Sequence, residues 1–552
     1  MYAPETALAC ENQDPESLFQ ERLVRGLRGA GAYPHAVGRV ELIETHISYV
    51  LLAGEYAYKI KKAVDLGFLD FRSLQSRLFY CNEELRLNRR TAPDLYLRVV
   101  PIGGSVERPL VGGDSRAIEH ALVMRRFEQA ARLDCMLANE RLTAVIIDEL
   151  AARIVDFHRS IATARPEQGF GTLPTIAEPA RQNIVQLMPL LERDDDRAAL
   201  AEYGDWLEAQ HDSLRDLFER RLDAGFVREC HGDLHLANIV LIDGRVVLFD
   251  CIEFNEQFRW IDVFNEVAFL AMDLRSRGKP GWSWRLIDRY LEATGDFEGL
   301  SLLRYYVAYR AMVRAKVDLI RARQLAHGDR AAIVDPLLLE KGHAHLRLAL
   351  SCCAAARPAV LITHGLSGSG KSRGSLALLE RLGAIRLRSD IERKRLHGIA
   401  VLEHGGDEPA RGLYAADATR ATYARLREFA GDIVRAGYTV IVDAAFLQRS
   451  QRESMRSLAA ELGVPFAIID FAAPPDCLRS RVARRHARGS DASDADLAVL
   501  EHQLSTEEAL QADEADLILS LDTGRSPDAT LHDATWQPLD EFLARSSAGS
   551  TR

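Results

Sequence analysis

Gly365-Leu366-Ser367-Gly368-Ser369-Gly370-Lys371-Ser372 reads GLSGSGKS, a complete Walker A sequence, and its neighbours set it between a strand and a helix. The run before it, Ala359 to His364 (AVLITH), is apolar and β-branched, while Arg373 to Leu382 (RGSLALLERL) has helical spacing. In such a turn the glycines let backbone N–H groups approach phosphate oxygens, Lys371 reaches the β- and γ-phosphates, and the Ser372 hydroxyl takes a place on Mg²⁺. Residues 365–372 therefore read as a mononucleotide site. A glycine-rich turn that binds nothing would not need the Lys-Ser pair in register with both flanking elements.

Downstream, strand-like runs at 359–364, 384–388, 438–443, 465–471 and 516–521 alternate with helical stretches, the signature of a parallel sheet wound with helices. Asp443 ends the run Thr439-Val440-Ile441-Val442 and fits the carboxylate that holds the Mg²⁺ shell from a strand end. Ser389-Asp390-Ile391-Glu392-Arg393-Lys394 follows the second strand, and Arg479, Arg481, Arg484, Arg485 and Arg488 stud a later helix and turn. Here the sequence resembles the zeta-toxin, gluconate-kinase and polynucleotide-kinase group of P-loop kinases. That resemblance implies Asp390 as the carboxylate facing a substrate hydroxyl, Arg393 as a substrate-binding residue, and a lid whose arginines close over the transferred phosphate. Arg481 and Arg484, three apart on a helix, are the chosen pair, because guanidinium groups stabilise charge spread over γ-oxygens. The bland alternative for Asp390 is a cap on the helix that begins at Ile391.

Upstream stands a second, unrelated signature: His231-Gly232-Asp233-Leu234-His235-Leu236-Ala237-Asn238, then the apolar run VVLFD ending at Asp250. Asp233 and Asn238 have the five-residue spacing of the Asp and Asn in a protein-kinase catalytic loop, with Gly232 in place of Arg. One carboxylate must accept the proton of an attacking hydroxyl, and an amide oxygen a little further on must hold Mg²⁺. Asp250 would be the second metal carboxylate. The region from about 20 to 330 resembles the aminoglycoside phosphotransferase-like kinases, a small-molecule branch of the protein-kinase-like fold. The resemblance implies a strand lysine paired with a helix Glu. Tyr49 to Lys62 reads as a hairpin whose second strand offers Lys59, with Lys61 on the same face as a rival, and Leu74 to Arg90 offers Glu84, with Glu83 beside it. Leu122 to Phe127 resembles the hinge of the adenine pocket. No glycine-rich loop precedes Lys59, a departure that fits the small-molecule branch over true protein kinases.

The order of the two resemblances is similar to a bacterial family in which an aminoglycoside phosphotransferase-like kinase domain is fused to a P-loop kinase domain of the AAA family ATPase type. The expected architecture is an α/β multi-domain chain. A loose N-terminus at 1–20 leads into a kinase-like α+β domain at 21–350, a P-loop NTPase domain with a parallel sheet at 351–523, and a partly disordered tail at 524–552. At 552 residues more than one core is expected, and 47% hydrophobic with 27% charged residues is an ordinary globular balance. A net charge of -10 argues against nucleic acid as a partner, and no run approaches the ~18 apolar residues of a membrane span. The start, MYAPETALACENQDPE, has neither a basic region nor an apolar core, and the eight cysteines form no Cys-x-x-Cys pair, so a reducing cytoplasm is the expected setting.

The leading functional expectation is an ATP- and Mg²⁺-dependent phosphotransferase with two nucleotide sites, passing the γ-phosphate to hydroxyl groups of small molecules. Two alternatives stay open: a single kinase with a regulatory ATP domain, and a toxin-like or stress-related nucleotide-binding interaction protein. Acceptor identity, ATP against GTP, and oligomeric state are not legible.

Overall fold

The computed structural model describes residues 15–67, 69–113, 116–326, 336–399, 415–488, 496–525, 530 and 532–549. Packing divides the chain into two compact units that interleave along the sequence. The first is drawn from residues 1–142, 157–175 and 220–266, the second from 143–156, 176–219 and 267–552.

The first unit opens with α1 (Pro15–Leu27), which begins within the stretch 1–20 read as a loose start and runs past it, followed by β1 (Val40–Glu44), β2 (Ser48–Ala53), β3 (Tyr56–Lys61), α2 (Leu74–Asn88), β4 (Tyr96–Gly104), β5 (Pro109–Val111) and β6 (Glu119–Arg125). The strands form one antiparallel sheet in the order β1-β2-β3-β6-β4-β5. Leu51, Tyr58, Ile60 and Val123 of the sheet pack with Leu23, Val24 and Leu27 of α1 into one core. Alternation along β3 sends Tyr58 and Ile60 into that core and leaves Lys59 and Lys61 for the opposite face, where α2 lies.

Helices α3 (Leu133–Ala138), α4 (Ala144–Ser160), α5 (Leu173–Leu187) and α6 (Asp194–Asp223) follow. After them come β7 (Val227–Glu229), the hairpin of β8 (Ile239–Ile242) and β9 (Arg245–Leu248), and β10 (Trp260–Asp262), which pairs with β7. The chain continues through α7 (Val263–Ser276), α8 (Pro280–Thr294), α9 (Leu300–Ala326) and α10 (Pro336–Ser351).

The second unit holds a five-stranded parallel sheet in the order β12-β13-β11-β14-β15, built from β11 (Val360–His364), β12 (Ile385–Arg388), β13 (Val440–Asp443), β14 (Phe466–Ala472) and β15 (Leu517–Asp522). All five expected strands are present, their ends shifted by a residue or two. Every residue of β11 and β13 is buried, as a parallel sheet covered on both faces requires, which explains their unbroken apolar runs. Helix α11 (Lys371–Leu382) follows β11, and α12 (Ser389–Leu396) follows β12. Residues 533–549, within the stretch read as a partly disordered tail, form a helix whose Trp536, Leu539 and Phe542 recur at helical spacing and enter the sheet's core beside Leu361, Leu379 and Phe471. Trp284 of α8 packs against the same core. No helix among the described residues is long and apolar enough to cross a membrane.

Trp536 is almost fully buried and its indole N–H donates to the Thr530 carbonyl. Trp536→Ala should therefore destabilise the second unit by about 3–5 kcal/mol, the usual cost of emptying a core aromatic site. Chemical denaturation of the two proteins measures it, and a loss well under 1 kcal/mol, small beside that cost, would mean that the C-terminal helix is not docked on the sheet.

Candidate functional site

The first unit gathers its charged residues around Lys59. Its ammonium donates to Glu84 Oε1 at 2.7 Å and to Asp250 Oδ1 at 2.6 Å, so β3, α2 and the segment after β9 meet at one cation. Burial pulls Lys59 down, but the Asp250 and Glu84 carboxylates outweigh it and hold the ammonium well above its ordinary range. Burial likewise pushes Glu84 up, and Lys59 with Lys61 reverses that, leaving the carboxyl at about 2. Lys61 bridges Glu84 Oε2, at 2.7 Å, to Glu253. Glu83 faces elsewhere and pairs with Arg86 and Arg259.

Asp250 adopts φ 66°, a left-handed backbone unusual for a residue with a side chain. Hydrogen bonds hold it there: its N–H donates to the Tyr96 hydroxyl, and the Cys251 N–H donates to Asn88 Oδ1. The Asp250 side chain keeps 42% of its surface exposed, so it remains open to a ligand.

The loop 231–238 is built on a buried carboxylate. Glu266 of α7 accepts from the backbone N–H groups of His231 at 2.7 Å and Gly232 at 2.8 Å, and its other oxygen lies 3.1 Å from His158 Nε2. Gly232 has φ 86°, and a Cβ there would stand 2.7 Å from the Phe258 carbonyl oxygen, which is why glycine replaces the arginine of protein kinases. Asn238 donates from Nδ2 to the Asp233 carbonyl and to Asp233 Oδ2, both at 3.0 Å. The Asn238 amide oxygen thus remains as an acceptor of the kind a hard cation takes, and Asp250 has spent only Oδ1 on Lys59. Asp233 and Asn238 are brought together, as are Lys59, Glu84 and Asp250, and their chemistry fits Mg²⁺ and phosphate.

In the second unit, Ser367, Gly368, Gly370, Lys371, Ser372, Asp390, Arg393, Asp443 and Arg481 all line one cleft of about 1670 Å³. That exceeds the ~300–1,000 Å³ of a pocket for one small ligand, so the cleft has room for a nucleotide and an acceptor together. Gly365 and Leu366 complete the loop from behind: their carbonyls accept from the Lys371 ammonium at 2.7 and 2.8 Å. Burial pushes Lys371 down to about 8, against the pull of the Asp443 and Asp390 carboxylates. The buried Ser369 hydroxyl has no hydrogen-bond partner among the described residues, an unspent donor in the phosphate loop. Asp443 accepts from Ser375 Oγ at 3.0 Å. Ser372 and Asp443 supply the hydroxyl and carboxylate oxygens suited to Mg²⁺.

Asp390 sits at the second position of α12, which begins at Ser389, and not at its N-cap, which is Arg388. Arg481 donates to the Gly368 carbonyl and to Thr523, fastening the helix Pro475–Arg488 to the phosphate loop. Arg484 is exposed and outside the cleft lining, where Arg485 stands instead, because residues four apart share a helix face more closely with 481 at this helix's orientation. Residues 489–495, which follow this helix, lie outside the described residues. Sequence reasoning missed Glu266, although a lone acid in the apolar run VFNEVAFLAM was a signal. Asp262, nearby in sequence, pairs instead with Arg221 and accepts from the Phe264 N–H.

Residues 83–303 match the phosphotransferase enzyme family, and residues 360–510 match an AAA domain family. Two proteins described as uncharacterised, from Mycobacterium tuberculosis and Mycobacterium bovis, are each 30% identical over 460 residues, covering 82% of this chain and 88% of theirs. Among solved structures, a choline/ethanolamine kinase family protein from Mesorhizobium loti is 13% identical with TM-score 0.35, covering 57% of this chain and 92% of that one. A gluconokinase from Sinorhizobium meliloti is 22% identical with TM-score 0.26, covering 35% of this chain and 99% of that one.

Two outcomes follow from this geometry. Glu266→Ala strips two buried N–H groups of their acceptor and should cost about 1–3 kcal/mol for each. Glu266→Gln, which keeps a carbonyl oxygen, should stay closer to the parent in the same denaturation experiment, and equal stability of all three would mean that the loop does not rest on this residue. Lys371 has a depressed value of about 8 against an ordinary 10.5, so in the free protein it is charged below about pH 8 and neutral between these values. Phosphates favour the charged form. Nucleotide binding should therefore take up a proton near pH 9 and none near pH 7. Calorimetry in buffers of different ionisation enthalpy, on Asp250→Ala protein to silence the first site, reads this directly, and buffer-independent heats at pH 9 would contradict it.

Proposed function

We propose that this chain, which belongs to the family of the mycobacterial relatives and joins a phosphotransferase-family domain to an AAA-family P-loop domain, is a kinase with two working active sites. Each transfers the γ-phosphate of ATP to an alcohol group of a small molecule. The observation that carries this reading is that each unit assembles its own complete set: Lys59, Glu84, Asp250, Asp233 and Asn238 in one, and Lys371, Ser372, Asp390 and Asp443 in the other. A chain with one regulatory nucleotide domain would need phosphate contacts in both units but a proton acceptor in only one.

At the first site Lys59, kept charged by its two carboxylates, holds nucleotide phosphate oxygens. Asp233, steadied by the Asn238 amide and 36% exposed, accepts the acceptor's hydroxyl proton as its oxygen bonds to the γ-phosphorus and the bond to the bridging oxygen of ADP breaks. At the second site the loop N–H groups and Lys371 hold the phosphates, Asp390 takes the proton, Arg393 binds the acceptor, and Arg481 with Arg485 covers charge on the transferred group. Mg²⁺, when bound, would neutralise phosphate charge, held by Asn238 and Asp250 at one site and by Ser372 and Asp443 at the other.

The test is product profiling. Purified protein with labelled ATP and a metabolite extract should give labelled products from two acceptors or two steps. Asp233→Asn and Asp390→Asn should each remove one class of product, slowing that transfer by about 10²–10⁴-fold while leaving nucleotide binding nearly intact. If the chain binds one nucleotide and Lys371→Ala abolishes it, the first unit is not an ATP site and the reading fails.

A further inference from the structure

Within the second unit, helix α8 sends two carboxylates beneath the phosphate loop. Arg386 of β12, only 3% exposed, donates from Nη2 to Asp288 Oδ2 at 2.7 Å and to Glu292 Oε1 at 2.9 Å. From Nη1 it donates to the Ser372 carbonyl at 3.1 Å and to Ser375 Oγ at 3.4 Å. Asp288 is buried and Glu292 nearly so. We propose that Asp288 and Glu292 are positioning residues of the P-loop site, acting through Arg386 on Ser372 and Asp443. This rests on the reading of that site as a Mg²⁺-nucleotide site.

The mechanism lies in where one proton points. Ser375 Oγ has a single hydrogen and two acceptors in reach, the Ser372 carbonyl at 3.2 Å and Asp443 Oδ2 at 3.0 Å. With Arg386 donating both to the Ser372 carbonyl and to Ser375 Oγ, the hydroxyl proton is directed to Asp443. Arg386 thereby fixes the backbone of Ser372 and the carboxylate of Asp443, the two groups assigned to Mg²⁺, in one arrangement. A second arginine of the same strand reinforces it: Arg388 lies 3.6 Å from Glu292 and 3.9 Å from Asp443, immediately before Ser389-Asp390. Stability alone does not account for the cluster, since a buried ion triad is commonly no more stabilising than apolar residues of the same volume.

Another contact on the same helix provides the control. Arg285 of α8 donates to Glu380 of α11 and to Asp148, binding α8 to its surroundings without reaching Ser372 or Asp443. In the full chain carrying Asp250→Ala, binding of a non-hydrolysable ATP analogue is measured by calorimetry with and without Mg²⁺, beside the thermal midpoint. Asp288→Asn and Glu292→Gln should each lower the Mg²⁺-dependent gain in affinity by about 10–100-fold, as loss of outer-shell support does, while binding without Mg²⁺ changes little. Arg285→Ala should lower the thermal midpoint and keep the Mg²⁺-dependent gain. If Asp288→Asn does not fold, Glu292→Gln decides alone, because Glu292 keeps some contact with solvent. An unchanged Mg²⁺ effect in the carboxylate variants, or an equal loss in Arg285→Ala, overturns the inference while leaving the P-loop reading in place. Absence of analogue binding in the Asp250→Ala parent overturns that reading and the inference with it.

Discussion

Lys59 is held between Glu84 and Asp250, and the rest of the first site takes its form from that arrangement. A cation removed from water costs several kcal/mol unless opposite charge surrounds it. Two carboxylates from distant parts of the chain meet that need, so β3, α2 and the segment after β9 are drawn to one point. The P-loop unit meets the same constraint differently. Lys371 rests on two carbonyls of its own loop, which offer dipoles and no net charge, and its ammonium is correspondingly easier to neutralise. Arg386, which cannot shed its proton, instead needs Asp288 and Glu292. Lys59 is held charged by two carboxylates within hydrogen-bond reach, whereas Lys371 rests on loop carbonyls and burial pushes it down to about 8.

What the sequence made legible is what lies close along the chain. GLSGSGKS between an apolar strand and a helical run, Asp233 five residues before Asn238, and Asp443 at the end of a β-branched run are local patterns, and the parallel sheet follows from their spacing. The choice between Glu83 and Glu84 was not local. On α2 the two point in different directions, and only the place of β3 selects Glu84, while Glu83 turns to Arg86 and Arg259. Glu266 and Asp288 were harder still, because each serves a loop or strand far away in sequence. A buried acid in an apolar helix announces that a partner exists without saying which. The helix at 533–549 was obscured by the Gly, Ser and Pro around it, although Trp536, Leu539 and Phe542 carried its apolar face.

Departures from the kinase pattern also have local physical causes. The absence of arginine before Asp233 is a consequence of backbone geometry, since a left-handed turn packed against Phe258 excludes a side chain. The conformation of Asp250 runs the other way. A side chain is tolerated at positive φ because Tyr96 and Asn88 secure the peptides on both sides of it. Strain of about 1–3 kcal/mol at such a residue persists only where neighbours over-determine it, and here they aim a carboxylate at Lys59.

Family likeness and packing divide this chain differently, and the difference bears on how its halves depend on each other. The phosphotransferase match ends at residue 303 and the AAA match begins at 360, yet α8, inside the former, packs Trp284 on the core of the parallel sheet and places two acids on Arg386. Cutting the chain between the two matches would leave a buried guanidinium without either carboxylate, a loss of about 3–5 kcal/mol by the usual cost of breaking a buried pair, on top of an exposed apolar face. That is a large fraction of the 5–15 kcal/mol that holds a typical domain folded. The P-loop unit therefore needs α8 as part of its own structure, and the segment that is kinase-like by sequence is, at α8, part of the packing under the parallel sheet.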